Sequence, residues 1–379
     1  MHIVFVSNFL NHHQLSFCNN IMKYCDKFHF IATEALSNLG YQTATEANFV
    51  IHWFKENEKN YSEQLILDAD VVIFGNCPNH LIDLRMEEKK LSFLFSERFF
   101  KKGTWRRFVP QTRKKVVDRI IKHKHNNVYI LCASAYLTLD LQLLGFPFDK
   151  CFKWGYFPDF KRYDDIDKLI ANKENNSILW VARLINLKNP QTVISVAKRL
   201  KKEGYNFQLN VLGDGPLKVK LEKEIRKNDL AKEVHLIGSV SPDDVRNYME
   251  KSEIFFFTSN RKEGWGAVLN ESMNGACAVV SNSIIGSTPF LINNNNNGLI
   301  YKNSNVDDLY KKIKYLLDNP QKRQEFQRNA YVSIAEEWNV ETATNRLINI
   351  INDIIEKGTS SRYEHGPCSK AEVLKEKWR

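Results

Sequence analysis

Two glutamates and a Gly-Trp-Gly turn stand together in one short segment of the chain. Glu263 and Glu271 are eight positions apart, and Gly264, Trp265 and Gly266 follow the first of them. Glycines let a backbone approach a ligand closely, and the free N–H groups of a helix start favour a phosphate there. The spacing suits a sugar, a diphosphate and a ribose in a row. Two solvated glutamates around a helix start are the alternative interpretation.

A second candidate group is basic. Arg183 and Lys188 are five residues apart and follow the predicted strand Ser177–Ala182. A planar guanidinium and a compact ammonium near the carboxyl edge of a sheet can neutralise a diphosphate. Such a pair is common in a Lys-rich chain, but the loops 183–188, 213–216 and 262–266 each follow a strand of the same predicted sheet. The shared position of these loops strengthens the prediction of a diphosphate site.

The elements that must position these residues alternate between strands and helices. Short apolar runs predict strands in the first half at 3–6, 28–32, 49–53, 71–74, 91–95 and 128–132, and in the second half at 177–182, 207–212, 234–237, 254–257 and 278–280. This alternation predicts an α/β protein with two Rossmann-like, doubly wound domains, and ligands bind such sheets at the carboxyl ends of the strands. We predict an N-terminal domain at 1–158, a C-terminal domain at 159–358 and a polar tail at 359–379.

Four motifs of the second half carry a resemblance to a known family. Ala182-Arg-Leu-(x)3-Lys-Asn-Pro190, Gly213-Asp-Gly-Pro216, Glu263-Gly-Trp-Gly-(x)4-Glu271 and Asn297-Gly-Leu-Ile300 resemble the ordered signature of the GT-B glycosyltransferases of family 4. The resemblance covers roughly residues 177 to 320, and the first half is similar only in layout. Many members have a Gly-Gly pair after the first strand, where this chain has Asn8 and Phe9.

The resemblance implies two Rossmann-like domains facing a central cleft, and retaining transfer of a sugar from a nucleotide-diphosphate sugar to a glycan or lipid-linked acceptor, without a cofactor or a metal. On the matching positions it implies catalytic roles for Glu263, Arg183 and Lys188. It implies donor binding by Glu271 at the ribose, by the backbone N–H groups of Gly264, Trp265 and Gly266, and by Gly238 and Ser239 at the base.

Two loops of the first half supply acceptor-side candidates. His12 and His13 follow the first strand, and Glu97 follows the strand at 91–95. His12-His13-Gln14 and Ser96-Glu-Arg98 are similar to motifs of family members from capsule and exopolysaccharide clusters. A histidine there can bind the acceptor or take its hydroxyl proton. The alternatives are local hydrogen bonds at a helix start for the histidines, and an ion pair with Arg98 or a nearby lysine for Glu97.

The positive charge of the chain is concentrated in one segment. The net charge is +10, and the segment 101–124 holds ten Lys or Arg residues against the single acid Asp118. Trp105 and Phe108 lie among these residues. Basic residues interleaved with aromatics can rest on anionic lipid. We therefore predict that Lys101–Lys124 attaches the protein to the inner membrane surface, the alternative being a solvated helix face. No nucleic-acid motif accompanies the segment, so nucleic acid is not an expected partner.

The cysteines and the apolar runs bear on the compartment. The seven cysteines are scattered and form no Cys-x-x-Cys pair, so neither a zinc site nor a disulfide framework is expected. No run of 18 apolar residues is present, and the first predicted strand, at 3–6, follows the start of the sequence directly. We predict a cytoplasmic protein, peripheral to the inner face of the membrane. Two other functions stay open from sequence: a nucleotide-sugar epimerase or hydrolase of the same fold, and a basic lipid or nucleic-acid binding module without catalysis.

Overall fold

The computed structural model describes residues 1–35, 47–303 and 305–374, and for residues 12 and 13 only the backbone. The chain divides into two compact units. Unit 1 holds Met1–Asp159 and the described residues from Trp338 onward, and unit 2 holds Phe160–Glu337. Each unit has its own parallel sheet and its own apolar core, so the prediction of two doubly wound α/β domains is confirmed.

Unit 1 is built on a sheet of seven parallel strands. The strands are β1 (His2–Ser7), β2 (Lys27–Ala32), β3 (Val50–His52), β4 (Val71–Phe74), β5 (Ser92–Ser96), β6 (Val128–Cys132) and β7 (Cys151–Lys153). They lie in the order β3-β2-β1-β4-β5-β6-β7. The central strands are continuous runs of β-branched and aromatic residues because both faces of a parallel sheet are buried. The order reverses between β1 and β4, where such sheets bind ligands.

Helices connect these strands in the described part of unit 1. They are α1 (His12–Ile21), α2 (Glu56–Asp68), α3 (Asn79–Glu87), α4 (Pro110–Arg119) and α5 (Leu137–Gln142), with short 3-10 helices at Thr104–Phe108, Ile121–His123 and Phe148–Lys150. Helix α1 begins where it does because Asn11 caps it: its Oδ1 accepts a hydrogen bond from the backbone N–H of Gln14 at 3.1 Å, and the Gln14 Oε1 accepts one from the Asn11 N–H at 3.4 Å.

Unit 2 repeats the design with six parallel strands. These are β8 (Ser177–Val181), β9 (Gln208–Leu212), β10 (Val234–Gly238), β11 (Ile254–Phe257), β12 (Ala278–Asn282) and β13 (Leu299–Tyr301), in the order β10-β9-β8-β11-β12-β13. The order reverses between β8 and β11. The predicted segment 262–266 follows β11, and the predicted segment 183–188 follows β8, so both lie at the carboxyl ends of the strands beside that reversal.

The helices described in unit 2 are α6 (Ile166–Ala171), α7 (Gln191–Lys202), α8 (Lys218–Lys227), α9 (Pro242–Lys251), α10 (Val268–Asn274), α11 (Thr288–Leu291), α12 (Val306–Asp318) and α13 (Pro320–Val332). Helix α9 begins after Ser241, whose Oγ accepts a hydrogen bond from the Asp244 N–H at 3.1 Å. Buried Lys173 joins the ends of α9 and α10. Its ammonium lies within hydrogen-bond distance, 2.7–2.9 Å, of four carbonyl oxygens, those of Met249, Glu250, Ser252 and Gly275.

The C-terminal segment departs from the prediction. The predicted second domain ran to residue 358, with a polar tail after it. In the structure the helix at the end of that range, α14 (Val340–Lys357), belongs to unit 1, where its buried apolar face packs against α1. As far as residue 374, the chain beyond it is not a free tail, because Cys368 and Ala371 are buried and the Cys368 N–H donates to Lys153 O at 2.8 Å beside β7.

The secondary structure follows the predicted pattern except at the sheet edges. Strands β7 and β13 have three residues each and were not predicted. Strand β3 also has three residues, Val50–His52, inside the predicted 49–53. Within the described residues, no helix is long and apolar enough to cross a membrane.

Candidate functional site

The loop after β8 holds Lys188 in a fixed backbone position. Residues Asn186–Lys188 form a single 3-10 turn, and Asn189 adopts a left-handed conformation (φ 51°, ψ 51°). Thr258, which follows β11, holds this turn from the neighbouring strand. Its hydroxyl donates to Lys188 O at 2.6 Å and accepts from Trp180 Nε1 at 2.8 Å. Lys188 is therefore presented by two strand ends that are tied together.

Lys188 and Glu263 form an ion pair. The ammonium donates to Glu263 Oε2, and the two side chains are only 15% and 14% exposed. The Lys188 ammonium also lies 5.8 Å from the centre of the Phe257 ring. The sequence predicted both residues as site residues, but not this contact. The positive charge of Lys188 is thus balanced within unit 2, and an anionic ligand at Lys188 has to compete with Glu263.

Hydrogen bonds of buried Trp265 fix the Gly-Trp-Gly turn. Trp265 is buried, its Nε1 donates to Asn270 Oδ1 at 2.9 Å, and its carbonyl accepts from Ser287 Oγ at 2.6 Å. Gly266 has a φ of +83°, and a Cβ there would lie 2.3 Å from the Phe257 ring, so only glycine fits. Within the described part of the chain the N–H groups of Gly264 and Gly266 donate no hydrogen bond. These amides are available to a phosphate, as the resemblance implies.

The carboxylate of Glu271 accepts no hydrogen bond from the described part of the protein. Glu271 lies on the short helix α10. Burial raises its pKa, while the charge of Arg246 opposes that rise. A half-buried carboxylate without a donor favours a ligand that brings hydroxyl groups.

The remaining donor-side candidates surround a glycine turn. Gly213 has a φ of +124°, and a Cβ there would lie 2.0 Å from Ala182 O, so the turn after β9 packs directly on the loop after β8. The Gly213 N–H donates to Gly238 O at 2.7 Å, which brings the end of β10 to the same edge. Ser239 is exposed there. Arg183 is also exposed, and among the described residues its guanidinium has no partner.

Unit 1 has a cavity of its own, of about 920 Å³. It lies at the carboxyl ends of β1, β4 and β5, and its wall includes Ser7, Asn8, Asn76 and Tyr156. Six cationic side chains line it: Arg98, Lys101, Lys102, Arg106, Lys115 and Arg119. The basic segment that the sequence analysis assigned to a membrane surface therefore forms, in part, the wall of a cavity.

Glu97 lines this cavity, but its carboxylate is engaged. Lys101 Nζ donates to it at 2.6 Å, and Tyr156 is a second hydrogen-bond partner; burial, and then the charge of Glu97, raise the pKa of Tyr156. In the structure Glu97 therefore forms the ion pair with a nearby lysine that was the alternative to an acceptor role. Arg98 pairs instead with buried Asp140, at 3.0 Å. Burial raises the pKa of Asp140, although Arg98 and the N–H groups of Phe100 and Phe99 favour its charged form.

The histidine candidates begin helix α1. His12 and His13 are its first two residues, and their side chains lie outside what the structure describes. Their acceptor role stays a prediction. Asn11 and Gln14, on either side of them, line the cavity. Among the described residues no group of three or more His, Cys, Asp and Glu side chains is placed to hold a metal. Metal-independent transfer likewise stays a prediction.

The cationic wall of the cavity was not predicted from the sequence. Lys102, Arg106, Lys115 and Arg119 were assigned together to a membrane patch. One signal pointed elsewhere: the segment starts three residues after Arg98, in the loop that follows β5 at the ligand-binding edge. The distant contact that completes the wall has no local signal. Arg119, on α4, donates to Cys77 O at 2.9 Å in the loop after β4.

A family model matches most of unit 2. Residues 161–333 match the family model described as Glycosyl transferases group 1. The chain is 31% identical over 169 residues to an uncharacterized glycosyltransferase of Methanocaldococcus jannaschii, covering 44% of this chain and 46% of that relative. It is 31% identical over 153 residues to the N-acetylgalactosamine-N,N'-diacetylbacillosaminyl-diphospho-undecaprenol 4-alpha-N-acetylgalactosaminyltransferase of Campylobacter jejuni, covering 40% of each. The chain thus spans less than half the length of these relatives.

Solved structures match over nearly the whole chain. A crystal structure of HepE from Anabaena in complex with UDP superposes with a TM-score of 0.72 at 15% sequence identity, covering 93% of this chain and all of that one (100%). At this identity the likeness concerns the fold alone. With the two parallel sheets it identifies the fold as GT-B.

Proposed function

Because residues 161–333 match the family model described as Glycosyl transferases group 1, we propose that this chain is a retaining glycosyltransferase. It moves a sugar from a nucleotide-diphosphate sugar to a glycan or lipid-linked acceptor in the synthesis of a bacterial surface polysaccharide. The observation that carries the proposal is the ion pair of Lys188 and Glu263 beside the Gly-Trp-Gly turn. The Campylobacter relative supports the acceptor class, since its name gives a sugar on diphospho-undecaprenol as the acceptor.

The cations would act on the leaving group. In the proposed reaction the bond between the anomeric carbon and the diphosphate oxygen breaks. The acceptor oxygen bonds to the same face of that carbon, and the acceptor proton passes to the departing phosphate oxygen. Negative charge therefore grows on the diphosphate, where Lys188, exposed Arg183 and the amides of Gly264 and Gly266 stabilise it. Glu263 then faces the donor sugar, and no cofactor takes part.

The Glu271 carboxylate, which has no hydrogen-bond donor among the described residues, supports the proposed orientation of the nucleotide sugar. A ribose offers two hydroxyl donors, and hydrogen bonds to a charged group stabilise by about 1.5–3 kcal/mol. Gly238 and Ser239, at the end of β10, would then contact the base. The donor lies along the carboxyl edge of the unit 2 sheet, with its sugar at Glu263, its ribose at Glu271 and its base at the end of β10.

The first experiment identifies the donor and separates transfer from its alternatives. A thermal-shift screen of UDP-, GDP- and ADP-sugars finds the nucleotide, because a ligand of the native state raises the midpoint. Donor consumption is then followed with and without an acceptor. A transferase consumes the donor rapidly only when the acceptor is present. An epimerase or hydrolase converts it at full rate alone, and a binding module does not convert it.

A matched pair of variants tests the leaving-group role. Lys188→Ala should lower kcat, because the charge on the diphosphate grows in the transition state. Lys198→Ala, an exposed lysine of α7, removes the same charge away from the strand ends and should leave kcat unchanged. If Lys188→Ala raises KM and leaves kcat intact, Lys188 only binds the ground state and the proposed mechanism fails.

Peripheral membrane attachment is a second part of the proposal, and two exposed aromatic side chains favour it. Trp105 and Phe108 are 56% and 73% exposed. The Arg107 guanidinium lies 4.4 Å from the centre of the Phe108 ring, and Lys114 is exposed on the next helix. Each cation close to an anionic surface contributes about 1 kcal/mol, and the rings add apolar contact. Unit 1 would then face the cytoplasmic leaflet of the inner membrane.

Sedimentation with vesicles of phosphatidylglycerol and phosphatidylcholine tests the attachment. We expect pelleting at low salt and release at high salt, where the Debye length falls to about 3 Å. Trp105→Ser with Phe108→Ser should abolish pelleting and leave activity on a soluble acceptor intact. Tyr61→Ser, which removes a comparably exposed ring from α2 (53%), is the control. If the wild type ignores anionic vesicles, the membrane role is wrong.

A further inference from the structure

The cavity of unit 1 carries more positive charge than its own acids balance. Two of its six cations are paired: Lys101 with Glu97 at 2.6 Å, and Arg98 with Asp140 at 3.0 Å. The other four are Lys102, Arg106, Lys115 and Arg119. In the described part of the chain none of these four lies within ion-pair distance of a carboxylate. Their charges therefore remain available to a ligand.

Neutral partners hold two of these cations in position. Arg119 donates to Cys77 O at 2.9 Å and to Asn79 Oδ1 at 3.0 Å, and also to Gly75 O, so its guanidinium is fixed against the loop after β4. Arg106 donates to Thr112 Oγ1 at 3.0 Å. Carbonyl and hydroxyl oxygens orient a guanidinium without cancelling its charge. The side-chain entropy of placing these cations is thus already lost before any ligand binds.

The rest of the wall suits a sugar. Amide and hydroxyl groups from the ends of β1, β4 and β5 face the same space, among them Asn8, Asn76 and Ser96. A volume of about 920 Å³ lies within the usual range for small-molecule sites, about 300–1,000 Å³. The cavity has room for a sugar together with a charged group.

The charge balance identifies that group. A neutral glycan needs no cations, and a single carboxylate or sulfate ester brings one negative charge against four. A phosphate monoester or a diphosphate brings about two or more, and arginine forks match phosphate oxygens in geometry. We propose that this cavity binds an acceptor that carries a phosphate or diphosphate group, recognised by Lys102, Arg106, Lys115 and Arg119. That the ligand is an acceptor rests on the proposed glycosyl transfer. The proposed binding site itself lies within unit 1.

Calorimetric titration of the full chain with inorganic pyrophosphate tests the site. The donor site also favours diphosphates, so the titration is done in a chain with Arg183→Ala and Lys188→Ala. In that background we expect pyrophosphate to bind, and Lys115→Gln or Arg106→Gln to weaken it about tenfold or more, the loss of one charge-assisted hydrogen bond. Lys114→Gln is the matched control. Lys114 is the neighbour of Lys115 on α4, is 75% exposed, pairs with Asp118 and does not line the cavity.

The outcomes test the phosphate site separately from the proposed glycosyl transfer. If pyrophosphate fails to bind in the double-alanine background, or if Lys114→Gln and Lys115→Gln weaken it equally, the cavity is not a phosphate site. Donor turnover by the unmutated chain is unaffected by either result, so the transferase proposal stands or falls separately. Lys115 is exposed, so its Gln variant keeps the test valid if Arg106→Gln fails to fold.

Two further probes identify the source of the phosphate. Tighter binding of farnesyl diphosphate than of inorganic pyrophosphate supports a lipid-linked acceptor. Tighter binding of glucose 1-phosphate than of inorganic phosphate supports a phosphorylated glycan. If glucose 1-phosphate and farnesyl diphosphate both bind no better than unphosphorylated glucose, the proposal is overturned.

Discussion

Removing the charge of Glu263 should tighten the binding of nucleoside diphosphate and slow transfer at the same time. In the structure Glu263 holds Lys188, and a diphosphate at Lys188 has to displace or share that contact. The variant Glu263→Gln lacks the competing charge, so the ligand gains what the ion pair contributed. The donor sugar loses its contact with the carboxylate, so kcat should fall.

The magnitude follows from the burial of the pair. Exposed ion pairs contribute about 0–1 kcal/mol, and breaking a fully buried pair costs about 3–5 kcal/mol. Lys188 and Glu263, at 15% and 14% exposure, lie between these limits, so we take about 2 kcal/mol for their coupling. Since 1.4 kcal/mol is a factor of ten, the dissociation constant of the nucleoside diphosphate should fall by at most about 30-fold. The Gln amide still accepts from Lys188, so the expected range is about 3- to 30-fold.

The assay is calorimetric titration with the nucleoside diphosphate found in the donor screen, alongside kcat of the same variant. Glu325→Gln is the control: it removes the same charge from an exposed pair with Lys322 on α13 and should change neither value. A double-mutant cycle of Lys188→Met and Glu263→Gln measures the coupling directly. Weaker or unchanged nucleotide binding in Glu263→Gln would refute the reasoning, because Glu263 would then not compete for Lys188.

Three other predictions concern single side chains. Glu271→Ala should weaken the nucleoside diphosphate and the intact donor equally, by about 1.5–3 kcal/mol in a titration; unchanged affinity removes Glu271 from the site. Lys173→Met should lower the free energy of unfolding by about 3 kcal/mol in urea, because four carbonyl oxygens, three of them in buried contacts, lose their donor; an unchanged urea midpoint contradicts this. Burial, with the charges of His2 and Lys27, lowers the pKa of His29 to about 4. Between about pH 4 and 6.5 the ring is therefore neutral in the folded chain, whereas in the unfolded chain it is protonated below the ordinary histidine pKa near 6.5. The stability present above pH 6.5 should therefore fall between pH 6.5 and 4, and fall less in His29→Gln; parallel pH profiles of the two urea midpoints would contradict that.

The sequence predicted well whatever a local pattern encodes. Strands such as Val128–Cys132 and Ile254–Phe257 were predictable because a strand buried on both faces is a continuous apolar run. The edge strands β7 and β13 were not, since three residues carry no period. The segment after Gly358 looked like a tail because it is polar. The buried residues Cys368 and Ala371, whose N–H groups donate to β7, are recognisable as anchors only once β7 is in place.

The same limit applies to the candidate site. Loops that follow strands of a parallel sheet meet at one edge, so the positions of Arg183, Gly213 and Glu263 followed from topology. The pairing of side chains did not. Lys188 and Glu263 are 75 residues apart, and Arg119 reaches a carbonyl 42 residues away. Contacts of this kind decide which charges are balanced inside the protein and which are left for a ligand, and no periodicity in the sequence records them.

The basic segment shows what that distinction implies for function. By sequence, Lys101–Lys124 is one cluster with one expected role, at a membrane. In the structure its cations face two ways: Lys115 lines the cavity, while Lys114, on the same helix, is exposed and pairs with Asp118. Membrane attachment and phosphate recognition are therefore separable. Lys114→Gln, combined with Arg107→Gln, should weaken vesicle binding and spare pyrophosphate, and Lys115→Gln should do the reverse. If both changes affect both assays alike, the segment acts as one diffuse field of charge, and neither role belongs to particular residues.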